Sequence, residues 1–113
     1  MLWHNITTQE DLKQALSQSM EEPVVFFKHS TRCSISLFVK KSFEQACSSL
    51  SSKHSFYLLN VITNRAESNA LAEHFQIKHE SPQVIATLNN KVFYTNSHDG
   101  IDGSELVNQL KTI

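Results

Sequence analysis

Short apolar runs alternate with segments of helical periodicity along most of the chain, and this alternation restricts the fold more than any other feature. The runs at 24–27 and 56–62 are rich in β-branched and aromatic residues, which is typical of buried strands. A helical segment separates them, and strands joined through a helix pair in parallel by a crossover connection. The pattern therefore predicts an α/β domain with a parallel centre.

A hairpin completes the predicted sheet. The runs at 84–88 and 92–95 are joined by Asn89-Asn90-Lys91, and asparagine tolerates the positive φ angles of tight hairpin turns. Helices are predicted to begin at the capping residues Thr7 to Asp11, near Ser34, at Asn64 and at Asp102. We expect one domain over 1–113, with a four-stranded mixed sheet and helices on both faces.

Two details of this prediction concern the helices. The apolar stripe of the long helix is predicted to include Ile35 and Phe38 together with Val39 and Phe43. Gly100 and Gly103, the two glycines of the chain, are interpreted as turn residues ahead of the last helix.

Composition excludes several classes of function. The chain has 113 residues and a net charge of -1, which gives no electrostatic reason to expect nucleic acid or an anionic membrane as partner. Neither a signal peptide nor an apolar run long enough to span a membrane is found. Two cysteines are too few for a disulfide scaffold, so we expect a reducing, cytoplasmic location and a cysteine that is free, catalytic or metal-bound.

Cys33 is the candidate reactive residue because it lies where the first buried strand leads into the long helix. The first turn of a helix has unpaired N–H groups and a partial positive charge, and both favour a thiolate. Lys28, His29 and Arg32 add positive charge nearby. The polar neighbours of Cys33 argue against the alternative, a buried structural cysteine.

The spacing Cys33-x-x-Ser36 places a hydroxyl where a dithiol redox protein carries its second cysteine. The Ser36 hydroxyl is predicted to return about one helical turn later and could donate to the sulfur. A hydroxyl cannot resolve a mixed disulfide, so redox chemistry here would use one thiol and an external resolving thiol.

Cys47 has a different interpretation. It lies fourteen residues along the same predicted helix, about 21 Å from Cys33, so the two cannot pair. Its place on the apolar stripe indicates a core cysteine. The six histidines are scattered without ligand spacing, and no metal site is predicted. Pro82 precedes a strand, and from the residues alone it is interpreted as an ordinary trans strand-initiating proline.

Two segments resemble the monothiol bacilliredoxins, also described as redox-active proteins of the bacillithiol system. Residues 27–36 read FKHSTRCSIS and residues 79–83 read HESPQ. The resemblance extends over nearly the whole chain, including Trp3 and the strand after Pro23. Ser34 stands where the family usually has proline, which places a further hydroxyl near the sulfur.

The resemblance implies a thioredoxin-like fold with Cys33 as nucleophile and Pro82 as a cis-proline facing it. Ser81 would pair with substrate backbone. The implied reaction removes bacillithiol from mixed disulfides on client proteins, with bacillithiol as co-substrate, no bound cofactor, and bacillithiol or another redoxin as reductant. Arg32, Ser34, Ser36 and His29 are the expected thiolate-supporting residues.

Three alternatives remain open at this point. Another monothiol transferase could use glutathione or coenzyme A as its small thiol. A thioredoxin-fold stress or binding protein could use the cysteine as a sensor, or hold it capped without turnover. An interaction domain could hold Cys33 as an inert thiol.

Overall fold

A computed structural model describes all residues, 1–113, and has two layers of helices around one sheet. The strands are β1 (His4–Asn5), β2 (Val24–His29), β3 (Ser55–Asn60), β4 (Gln83–Leu88) and β5 (Lys91–Ser97). The helices are α1 (Gln9–Gln18), α2 (Ser34–Cys47), α3 (Arg65–Phe75) and α4 (Gly103–Lys111), with 3-10 turns at Ser48–Leu50 and His98–Gly100.

The sheet has five strands, in the order β1-β3-β2-β4-β5. Strands β1, β3 and β2 are parallel, and β4 and β5 add an antiparallel pair. The mixed sheet and the α/β class are confirmed, but the expected number of four strands was one too low. The missed strand, β1, has two residues and both are exposed, so it carries neither alternation nor an apolar run.

Each face of the sheet buries its own apolar cluster, and strand alternation decides the membership. On one face Val25 and Phe27 of β2 pack with α2 and α4. On the other face Val24 and Phe26 pack with α1 and α3. Every residue of β2 is buried, which places the strand that leads to Cys33 at the centre of the molecule.

The predicted turn and cap residues take their expected places, with one exception. Asn89 and Asn90 have φ angles of 53° and 60°, as a two-residue hairpin turn requires. Thr8 forms a capping box with Asp11, and Asp102 caps α4. Asn64 begins α3, but its side chain donates to the Thr7 carbonyl and to Glu67 instead of capping.

Two details of the helices differ from prediction. Ile35 and Phe38 are 59% and 74% exposed, so the buried stripe of α2 begins at Val39. Gly103 is the first residue of α4 and not a turn residue, and an added Cβ there would lie 2.8 Å from the Ala46 Cβ. None of the helices has the length and apolar character that crossing a membrane requires.

Candidate active site

Cys33 is the N-cap residue of α2 and is half-buried. Its N–H donates to the Ser30 carbonyl at 3.3 Å, and its own carbonyl accepts from the Leu37 N–H at 3.1 Å. These two bonds fix the turn between β2 and the helix. No side chain caps α2, so the first N–H groups of the helix have no side-chain acceptor and their partial positive charge acts on the cysteine.

The two residues that flank Cys33 are exposed. Arg32 forms no salt bridge, and Ser34 is the first residue of α2. The Arg32 guanidinium, on the residue before Cys33, has no carboxylate partner and can bind an anionic substrate group. The structure therefore leaves both residues free to act at the thiol, as the sequence analysis expects.

The Ser36 side chain is fully buried beneath this turn. Its Oγ lies 2.8 Å from His29 Nδ1 and accepts the Ser30 N–H at 3.1 Å. No hydrogen bond joins Ser36 to the Cys33 sulfur, so its support of the thiol in this geometry is indirect. Ser36 holds the turn at Ser30, and the cysteine N–H donates to the carbonyl of that same residue.

His29 ends β2 and is only 4% exposed. Burial lowers the pKa of His29, and the charge of Lys40 lowers it further, while Glu44 opposes the shift. The imidazole is therefore mainly neutral at pH 7, and its hydrogen-bond contact on this side of the sheet is with Ser36. It does not contribute a positive charge, which departs from the role of charge modulator expected from sequence.

Trp3 belongs to the same side of the sheet. Its ring stacks on Phe43, and its Nε1–H donates to a Glu44 carboxylate oxygen at 2.6 Å. Burial opposes ionisation of Glu44, but hydrogen bonds from Trp3 and Lys40 outweigh it and lower the pKa. The ion pair between Lys40 and Glu44 accepts the hydrogen bond from Trp3, and both of its charges affect the pKa of His29.

Ser81 and Pro82 precede β4, and their peptide bond is cis, as the resemblance implies. Strands β2 and β4 are antiparallel with Lys28 opposite Gln83 as the last register pair. The C-terminal end of β2, which leads to Cys33, and the start of β4 therefore lie next to each other at the same end of the strands. The Pro82 carbonyl accepts the His98 N–H at 2.9 Å, so this loop is also tied to the segment after β5.

Ser81 has a feature that sequence reasoning missed. Its Oγ is buried and has no hydrogen-bond partner, which is rare for a buried hydroxyl. Its backbone was the only part assigned a role in the sequence analysis. Leaving a buried hydroxyl unpaired costs free energy, so the loop holds an unsatisfied polar group next to Pro82.

A groove of about 390 Å³ runs along α2 from Ser34, the residue after Cys33. It is lined by Ser34, Ile35, Phe38, Val39, Ser42, Asp99 and Ile101. The exposure of Ile35 and Phe38 explains the departure from the predicted stripe, since their side chains border the groove instead of the core. Sequence periodicity cannot distinguish an apolar residue that packs in the core from one that borders a surface groove.

The second cysteine has no access to this chemistry. Cys47 ends α2, is fully buried, and its Sγ lies 3.7 Å from the Gly103 carbonyl oxygen. Burial raises the pKa of Cys47 to about 12. Both cysteines are free thiols, and the interpretation of Cys47 as a core residue is confirmed.

A five-stranded mixed sheet with a cysteine at the start of the helix after β2, and a cis-proline before β4, defines a thiol-redox protein of thioredoxin fold. Solved structures agree with this class. A protein with a thioredoxin fold matches with a TM-score of 0.81 and 25% identity, covering 96% of this chain and 93% of its own.

Two thioredoxins match over similar lengths and show the fold alone. Malassezia sympodialis thioredoxin has a TM-score of 0.73 and 17% identity, covering 99% of this chain and 90% of its own. Fasciola hepatica thioredoxin has a TM-score of 0.72 and 12% identity, with 96% and 97% covered.

A match to a family model gives a more specific assignment than the fold does. The model of the family described as "Monothiol bacilliredoxin BrxC" matches residues 4–106. The chain therefore belongs to the monothiol bacilliredoxin family, and the resemblance found in its sequence is confirmed. Family and fold together make it a thiol-dependent oxidoreductase, whose natural partners are proteins that carry reactive thiols.

Proposed function

We propose that this protein removes bacillithiol from mixed disulfides on client proteins, using Cys33 as its only reacting thiol. One observation carries the proposal: the single accessible thiol lies at an uncapped helix start, and the position of a second thiol is filled by Ser36, which is buried against His29. An internal disulfide with Cys33 therefore has no partner on this helix turn. The small thiol must come from outside.

The reaction has two exchange steps. In the first, the Cys33 thiolate attacks the bacillithiol sulfur of the client mixed disulfide, and that S–S bond breaks. The client thiolate leaves and takes a proton from water, while Cys33 carries bacillithiol. In the second, the thiolate of another bacillithiol attacks the bacillithiol sulfur of this adduct. Bacillithiol disulfide leaves, and the Cys33 thiolate is restored.

Each group of the site has a place in this scheme. The N-terminus of α2 and the Arg32 guanidinium favour the thiolate as attacking and as leaving group. The backbone of Ser81, next to the cis peptide bond to Pro82, can pair with the client or with the small thiol. The hydroxyl of Ser34, in the position where the family usually has proline, lies free at the first helical residue and can donate to sulfur.

The test is a reaction of the purified protein with a peptide that carries a bacillithiol mixed disulfide. We expect release of the free peptide, a protein mass increased by one bacillithiol on Cys33, and loss of that adduct when free bacillithiol is added. Cys33→Ser should show none of these. Matched peptides carrying glutathione or coenzyme A decide which small thiol is preferred.

Other outcomes point to the alternatives. Preference for the glutathione or coenzyme A peptide would move the protein to another monothiol transferase. An adduct that free thiol does not remove would indicate a sensing or capped cysteine, as in a stress or binding protein. Absence of any adduct would leave an inert cysteine. The proposed reaction also needs a cytoplasmic, reducing setting, which localisation of the tagged protein in cells would test.

A further inference from the structure

Lys28 is fully buried, although lysine is among the residues least often found inside a protein. It lies in β2, and its Nζ is 3.0 Å from His79 Nδ1. No carboxylate pairs with it. A buried ammonium without a counter-charge costs free energy, so a residue of this kind needs an explanation beyond packing.

The partner of Lys28 lies in the loop that presents the cis-proline. His79 stands three residues before Pro82 and is exposed as a whole, but its Nδ1 contacts with Lys28 and Ser68 are partly buried. An ammonium only donates, so His79 Nδ1 must be the acceptor and the proton of the neutral ring resides on Nε2. The Ser68 hydroxyl, buried on α3, lies 3.3 Å from the same nitrogen.

Gln83 holds the same loop from the neighbouring strand. It is the register partner of Lys28, so the two side chains point to the same face of the sheet. The Gln83 side chain accepts from the Glu80 N–H at 3.3 Å and donates to the Lys78 carbonyl at 3.1 Å. Two adjacent buried polar residues thus bind three consecutive residues, 78–80, directly before Ser81 and Pro82.

We propose that Lys28 is a positioning residue, which holds His79 so that the loop presents Ser81 and Pro82 to a substrate joined to Cys33. The effect on catalysis rests on the proposed function, whereas the contact between Lys28 and His79 does not depend on it. Lys28 acts from the face of β2 opposite to His29, so it reaches the site through the loop and not through the thiol. From its position in the sequence, Lys28 was expected only to add positive charge near Cys33.

The first test compares two rates in Lys28→Met, which keeps the length of the side chain and removes the ammonium. Exchange with the bacillithiol peptide should slow about tenfold or more, because misplacing substrate-positioning groups by about an ångström can cost about 100-fold. Alkylation of Cys33 by iodoacetamide, which needs no loop, should stay within about twofold. Lys91→Met, at the far end of the sheet, is the matched control and should change neither rate.

Two results would overturn the proposal. Unchanged exchange in a folded Lys28→Met would show that the loop keeps its place without the ammonium. An equal loss of alkylation would show that Lys28 acts on the thiol itself. Should Lys28→Met fail to fold, His79→Ala removes the acceptor from an exposed position and should give the same split between the rates. His74→Ala, on α3 and hydrogen-bonded to Asn90, is its control.

The second test does not depend on catalysis and separates this proposal from the proposed function. Burial lowers the pKa of His79, and the charges of Lys28 and Arg65 lower it further, against Glu80. In Lys28→Met we expect the His79 pKa, measured by NMR, to rise, and the Glu80 amide to exchange its hydrogen at least about tenfold faster. If the wild-type protein does not react with the peptide, the proposed function fails, and these two values alone decide the role of Lys28. No change in either would overturn it.

Discussion

At the scale of single residues, the two cysteines of one helix differ completely in environment. Cys33 sits at the uncapped start of α2 and is half-exposed, whereas Cys47 sits at its end under α4 and is fully buried. The same helix thus has one thiol that is accessible to solvent and one that is not. The exposure of each thiol follows from its position along the helix.

Mass spectrometry after alkylation tests this difference. Native protein treated with iodoacetamide at pH 7 should gain one label, on Cys33, because burial raises the pKa of Cys47 to about 12 and excludes the reagent. Cys33→Ser should gain none. Labelling of native Cys47 at a comparable rate would contradict the structure.

Lys28 leads to a prediction about stability. Burial lowers the pKa of Lys28 from 10.5 to about 8. The unfolded chain therefore binds more protons than the folded one between about pH 8 and 10.5, and stability attributable to Lys28 rises with pH across that window. Below it the buried charge opposes folding.

Lys28→Met should accordingly raise the free energy of unfolding at pH 7, by about 1–3 kcal/mol, as replacement of buried charges by apolar residues often does. Urea unfolding at pH 7, 9 and 10.5 measures it. The gain should shrink as the pH rises and the wild-type amine becomes neutral. A variant less stable than wild type at pH 7 would mean that the contact with His79 outweighs the cost of burial.

At the scale of elements, the packing of α2 against α4 depends on a glycine. A Cβ at Gly103 would lie 2.8 Å from the Ala46 Cβ and 3.4 Å from the Phe43 carbonyl oxygen. Neither neighbour is the flexible end of a side chain. The two helices can approach this closely only because the first residue of α4 has no side chain.

Gly103→Ala should therefore destabilise the protein by about 1–3 kcal/mol, although alanine favours helices. Gly100→Ala is the control, because its Cβ would meet only the Asn96 side chain, which can turn away. Chemical denaturation of both variants checks this. Equal stabilities would show that the helices separate at little cost.

Much of this architecture could be predicted from sequence, since strands with apolar runs and helices with capping residues leave local signals. Strand β1 could not, because two exposed residues gain their structure only from pairing with β3. In the site, Cys33 and Pro82 were found through residue chemistry and family resemblance. The hydrogen bonds of Ser36 with His29 and of Lys28 with His79 form on opposite faces of β2. Spacing along the chain does not show which distant residues meet each face.

At the scale of the whole molecule, two histidines with lowered pKa values make the free energy of unfolding depend on pH. Burial lowers the pKa of both His29 and His79. The unfolded chain then binds more protons than the folded chain as the pH falls toward and below the usual histidine value of 6.5, so stability decreases in acid.

Thermal unfolding between pH 7.5 and 5 should show this decrease, and His29→Gln should flatten it. His74→Gln, at an exposed position, should leave the slope unchanged. A wild-type melting temperature that does not fall over this range would contradict neutral, buried histidine in the folded state.

The central place of β2 has a consequence for how long the protein remains competent in a cell. Strands at the middle of a sheet open last, and frayed edges reclose without disturbing them. The turn at Cys33, together with His29 and Lys28, belongs to or directly follows this strand, so partial opening at β1 leaves these residues in place. Molecules should therefore be either fully competent or open enough for proteases to destroy. In a cell, few molecules of this protein would then be folded but inactive.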